Sequence, residues 1–170
     1  PDSPLHIVHL WNLDVAPAPS AQAFRQAEQV ALITASLMQA VERRAEPARV
    51  WFVTRGSQSV LENESTAPQQ ALLWGMAKVA SIEMPERCHG QIDLPLSIEP
   101  ADLETLVETL LDAGGEDQLA SRRHGLYASR LTALSRSRPA ESVSTRRSTR
   151  SRSTATPARR LPPPTRSASS

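Results

Sequence analysis

The residues able to do chemistry are few and scattered along this 170-residue chain. A metal site would start from Cys88 and His89, close to Glu86. Yet Cys88 is the only cysteine, and His6, His9 and His124 lie far away in sequence. Zinc needs three or four ligands in workable geometry, so the Cys-His pair reads as an ordinary turn. His6 and His9 are separated by an odd step, which puts them on opposite faces of an extended strand, and they read as structural. Reductase catalysis of the short-chain dehydrogenase type needs a tyrosine as proton donor and a lysine four residues later to lower the phenol's pKa. Tyr127 is the only tyrosine and Leu131 stands at that distance; Lys78 is the only lysine and Trp74 precedes it by the same step. No Gly-x-Ser-x-Gly elbow occurs, so hydrolysis has no candidate nucleophile.

Nucleotide binding fares no better. The six glycines are Gly56, Gly75, Gly90, Gly114, Gly115 and Gly125, and no two are spaced two apart. A Gly-x-Gly-x-x-Gly turn is therefore absent, and with it the close approach of backbone N–H groups to a pyrophosphate. Trp11, Trp51 and Trp74 could be imagined as a base-stacking platform. Two lie in apolar runs and one on the expected inner side of a helix, so they read as core. No residue is assigned a catalytic, cofactor-binding or metal-ligating role.

The elements around these residues are clearer. His6-Ile-Val-His-Leu-Trp-Asn-Leu13 and Arg49-Val-Trp-Phe-Val-Thr54 read as mostly buried strands, and Gln91-Ile-Asp-Leu94 as a short third one. Ser20 is placed to cap a helix ending before Pro47, with Phe24, Ala27, Ala31, Thr34, Met38 and Val41 on its inner stripe. Thr66 and Gln69 have capping-box spacing ahead of a second helix, bounded by Pro85, that buries Leu72, Leu73, Met76, Val79 and Ala80. Pro100 opens a third, with Leu103, Leu106, Val107, Leu110 and Leu111 on one face and Gly114-Gly115 as its stop. Extended pieces around Gly125 fit a hairpin. Apolar strands alternating with amphipathic helices predict an α/β fold: a parallel sheet with helices on its faces and right-handed crossovers.

Composition divides the chain. Residues 1–131 carry ten Lys or Arg against seventeen Asp or Glu, whereas residues 132–170 carry nine Arg against Glu141 alone. The second segment is dominated by Ser, Thr, Arg and Pro, and too little apolar surface is present there to offset chain entropy. It is predicted to be a disordered basic tail. Two readings apply to it: a cationic arm for nucleic acid or another acidic partner, or an out-of-frame read of GC-rich coding sequence, which its abrupt onset favours. One cysteine allows no internal disulfide, no apolar run reaches the roughly 18 residues of a membrane span, and no signal peptide opens the chain. A cytoplasmic protein without a membrane partner is expected.

Four stretches, in order and spacing, resemble the structural subdomain of the ketoreductase domain of modular polyketide synthases. They are Ile7-Val-His-Leu-Trp-Asn-Leu-Asp14, Val50-Trp-Phe-Val-Thr-Arg-Gly56, Leu73-Trp-Gly-Met-Ala-Lys-Val-Ala-Ser-Ile-Glu-Met-Pro85, and Glu116-Asp-Gln-Leu-Ala-Ser-Arg122 with Tyr127-Ala-Ser-Arg-Leu131. Lys78 stands where the family often has Arg, and Cys88-His89 where it often has a bulky apolar residue and Gly. The resemblance covers residues 5–131. It implies a truncated Rossmann-like unit, incomplete at its N-terminus, that braces a catalytic subdomain. That other subdomain would bind NADPH and carry the Ser, Tyr and Lys of reduction, so no cofactor is expected on this segment. Its implied partners are the catalytic subdomain, neighbouring synthase domains and an acyl carrier protein. The rival reading is a free-standing small α/β protein whose basic tail binds nucleic acid or an acidic partner.

Overall fold

The computed structural model describes residues 4–131 and the backbone of residues 159–160. Five strands lie in sequence order across one sheet: β1 (Leu5–His9), β2 (Ala48–Arg55), β3 (Cys88–Leu94), β4 (Gln118–Arg122) and β5 (Gly125–Ala128). β1 to β4 are parallel, and β5 returns antiparallel across Arg123 and His124, giving the hairpin expected around Gly125. The parallel strands are joined by α1 (Ala21–Glu42), α2 (Ala71–Glu83) and α3 (Pro100–Leu111). This is the helix-covered parallel sheet that the alternation of strands and helices implied, in the Rossmann-like form that the family resemblance implied. Within the predicted disordered tail, residues 132–170, the described part is Arg159–Arg160, a two-residue strand antiparallel to β5. The remainder of that expectation lies outside the described residues.

Local chemistry explains the helix ends. Ser20 Oγ accepts the Ala23 N–H at 3.0 Å and starts α1. The Glu99 N–H donates to the Asp102 carboxylate at 2.8 Å beside Pro100, fixing the first turn of α3. Past α3, Gly114 and Gly115 take φ of 59° and 81°, values a side chain resists. The capping box expected from Thr66 and Gln69 does not form, and no side chain caps α2. Instead a 3-10 turn, Pro68–Gln70, leads into the helix and turns two glutamines inward. Gln69 Nε2 donates to the Ala16 and Pro17 carbonyls, and Gln70 Nε2 to the Asn12 carbonyl at 2.8 Å. The loop after β1 leaves carbonyls bare, and buried amides need such partners.

Alternation along the strands separates two cores. Val50 and Phe52 pack with Met38 and Val41 of α1 and with Leu73, Ala77 and Ala80 of α2. Trp51 and Val53 pack with Ile92, Leu94 and Leu119, under Leu106 of α3. α1 and α2 thus cover one face and α3 the other. All three connections step the same way across the sheet, so the third has the opposite hand to the first two. The uniform right-handed expectation fails here, because α3 covers the face that the other two helices leave bare.

Several burial expectations are also corrected. β1 is an edge strand ending at His9, followed by a 3-10 turn at Trp11–Asp14, and Val8, Leu10 and Trp11 are exposed. Phe24, Leu72, Val79, Leu103, Val107 and Leu111 point outward, while Ala77 faces the sheet and Ala23 packs with Val15, beyond the Trp11–Asp14 turn. Small inner residues let the helices sit close. Of the tryptophans only Trp51 is core, at 1% exposure; Trp74 is half-buried. Cys88-His89 is the start of β3 rather than a turn. The register shifts there opposite Val50 and Trp51, and Gly90 makes room: a Cβ on it would lie 2.8 Å from both the Asp117 carbonyl and the Trp51 ring.

Candidate functional site: a filled crevice at the carboxyl edge of the sheet

Open α/β sheets bind ligands beyond the carboxyl ends of strands, where adjacent strands send their connections to opposite faces. β2 leads to α2 on one face and β3 to α3 on the other. The crevice between the ends of β2 and β3 is therefore where a ligand would be sought.

Side chains fill it. Asp93, fully buried near the end of β3, accepts four hydrogen bonds. Its Oδ1 takes Thr54 Oγ1–H at 2.6 Å and the Ser57 N–H at 2.8 Å; its Oδ2 takes the Gln58 N–H at 3.2 Å and Arg122 Nη2 at 2.8 Å. Arg122, at the end of β4, also donates to the carbonyls of Asp93, Ser121 and Gln58. Its Nε makes a charge contact with Glu64 Oε1. Glu64 in turn accepts the Val60 and Leu61 N–H groups through Oε2, which folds the loop after β2 over the strand ends. Gly56, at φ 59°, donates its N–H to the Leu94 carbonyl at 2.8 Å, and Leu96 packs against it. A carboxylate with four donors in place, and none of its surface in water, is held for structure; it offers no free lone pair to a substrate proton.

The residues singled out from sequence go to other places. Cys88 is buried, its thiol directed at the Ala77 carbonyl, and burial followed by the nearby Asp117 charge pushes its pKa up to about 11. His89 stacks on Trp51 at 4.8 Å, and its ring approaches His6 at 5.3 Å. Burial, then His6 and Arg49, lowers its pKa. His9 is buried against Thr34, Trp11 and Phe52 on the other face, and burial lowers its pKa as well. The opposite-face reading of His6 and His9 holds. Tyr127 lies on β5 and Lys78 on α2, far apart in the topology. Among the described residues no group of three or more His, Cys, Asp or Glu could hold a metal ion.

Asp93, Glu64 and Arg122 were not picked out from sequence. The available signal was an aspartate inside the apolar run Gln91-Ile-Asp-Leu94, since a charge placed there must find a partner.

The fold and its filled crevice can be set beside known proteins. The family model for the Rossmann fold domain of the polyketide synthase extender module SpnB matches residues 3–131. The chain belongs to this family. The pikromycin polyketide synthase component PikAII of Streptomyces venezuelae is 44% identical over 103 residues, covering 60% of this chain and 3% of that protein. Erythronolide synthase EryA3 of Saccharopolyspora erythraea is 38% identical over 96 residues, again with 3% of its length covered. Among solved structures, a C2-type ketoreductase from a modular polyketide synthase superposes with a TM-score of 0.60 at 35% identity, over 73% of this chain and 26% of its own. The first ketoreductase of the tylosin synthase gives 0.59 at 34% identity, over 75% and 25%. This polyketide synthase Rossmann domain thus spans about a quarter of the ketoreductase chains it matches. The resemblance to the ketoreductase structural subdomain is borne out.

Proposed function

We propose that this chain is the bracing part of a polyketide synthase ketoreductase and performs no chemistry of its own. The intact unit would reduce a β-ketoacyl thioester, presented by an acyl carrier protein, with NADPH. The catalytic subdomain and neighbouring synthase domains are its partners. The observation that carries this reading is the crevice between β2 and β3: the place on this sheet edge where the connections part to opposite faces is filled by Asp93 and Arg122, which satisfy each other. The absent Gly-x-Gly-x-x-Gly turn and the separation of Tyr127 from Lys78 point the same way. No helix among the described residues is long and apolar enough to cross a membrane.

Segment exchange tests the proposal. Residues 3–131 would replace the matching segment of the tylosin synthase's first ketoreductase. The chimera should reduce a β-ketoacyl thioester with NADPH, while the 170-residue chain alone should not. Turnover by the isolated chain, or a chimera with no activity, would refute it.

A further inference from the structure

β5 closes the row of five strands with an edge that needs a partner. The Ser129 N–H donates to the Gln118 carbonyl at 3.0 Å, on the β4 side. Backbone groups alternate sides along an antiparallel strand, so the N–H and C=O of Ala128 turn away from β4. Ala128 is fully buried, and buried backbone groups left without partners cost free energy. Nothing in Gly125-Leu-Tyr-Ala128 guards this edge. It holds no charged residue and no proline, two of the means by which edge strands refuse a further strand.

We infer that the outer edge of β5 is a strand-addition site, and that this chain fills it with its own residues 159–160. Arg159 stands opposite Ala128 and Arg160 opposite Tyr127, in antiparallel register, so the outward-turned Ala128 meets a backbone partner. Strand addition draws its affinity from main-chain hydrogen bonds and tolerates many sequences. Two features of the sequence favour this segment. Residues 132–170 hold nine Arg against Glu141, while residues 1–131 hold seventeen Asp or Glu against ten Lys or Arg, so tail and body attract. Pro157 and Pro162-Pro-Pro164 bracket the arginine pair. Proline has no N–H to give a ladder, which keeps the added strand short and hinders any further strand from extending it. Returning across residues 132–158 adds little, because the cost of closing a link grows only with the logarithm of its length. The contact belongs to the polypeptide as it stands, whichever reading frame supplied the tail, and it is independent of the bracing role.

Amide hydrogen exchange, followed by NMR on the full chain, tests this. Arg159→Pro combined with Arg160→Pro removes both N–H groups from the added strand and alters no core residue. The Ala128 amide should exchange at least ten-fold faster in the variant, while the Tyr127 amide, which faces β4, keeps its rate. Equal Ala128 rates in parent and variant, whatever the protein concentration, would overturn the inference. Protection that returns in the variant only as concentration rises would mark a second copy on the vacated edge, and would support the site.

Discussion

Arg122 and Asp93 form an ion pair at 2.8 Å with side chains 2% and 0% exposed, across the β3–β4 boundary and beneath the loop that follows β2. Three backbone segments converge on it: the end of β3, the end of β4, and Ser57–Gln58. Removing charges this thoroughly from water is costly, and only full hydrogen bonding offsets it. The pair therefore holds the loop closed as much as it holds the strands together.

Arg122→Ala would leave Asp93 buried without its countercharge and Glu64 without its contact. Breaking a buried pair in this way costs about 3–5 kcal/mol, a large share of a small domain's stability. Urea denaturation of the two proteins should show a midpoint lowered accordingly. Arg122→Lys should recover little, because a lysine ammonium cannot reach the carboxylate and three carbonyls at once as the planar guanidinium does. A midpoint within error of the parent for either variant would show that the hub carries no stability.

The strand–helix order, the Ser20 cap, the Pro100 start and the Gly114-Gly115 stop were legible because each depends on neighbouring residues only. Which side of a helix faces inward was less so. Phe24 and Ala23 are adjacent and both apolar, and the fold buries the smaller, beside Val15. Leu72, Val79 and Leu103 fit an inward stripe on hydrophobicity, yet they lie on surfaces that the described residues leave uncovered. The hub was illegible for another reason: Asp93 and Arg122 are 29 residues apart, and nothing local to either announces the other. The face taken by α3 likewise depends on what α1 and α2 had already covered.

Acid should weaken the fold through His9. Thr34 Oγ1 gives its single hydrogen to the Val30 carbonyl at 2.7 Å, so it accepts from His9 Nε2 at 2.8 Å. His9 Nδ1 is then the bare nitrogen, buried without a hydrogen-bond partner. Burial holds the folded pKa below 6.5, the ordinary value. The sign follows: above about pH 6.5 both states are neutral and the contribution is complete, whereas below it the unfolded chain takes up the proton first and stability falls. His89, also lowered by burial, adds in the same direction. Urea midpoints measured from pH 8 to pH 5 should decline below about 6.5, and His9→Gln, which keeps an N–H for Thr34, should flatten the decline. An unchanged slope in that variant would remove His9 as the cause.

The family match ends at residue 131, where the composition turns to Arg, Ser and Pro. If residues 132–170 come from an out-of-frame read, the coding DNA shifted by one or two bases after codon 131 should restore ketoreductase-like sequence and soon reach a Gly-rich turn after a strand. A genuine cationic arm makes the opposite forecast. No such frame would exist, and the chain would bind RNA with an affinity falling steeply with salt, since nine arginines would displace counterions. The shifted frame is the expected result.

Titrating NADPH into the full chain while following nucleotide fluorescence should give no saturable change at micromolar concentrations. Two separate features predict this, and one variant tells them apart. The crevice between β2 and β3 is filled by Asp93 and Arg122, and the glycines are not spaced to cradle a pyrophosphate. Arg122→Ala empties part of the crevice but creates no phosphate turn, so it too should fail to bind. Gain of binding in that variant would make occlusion the sole barrier. Saturable binding by the parent chain would show that the filled crevice is not where this domain meets its ligand, and the bracing role would fall with it.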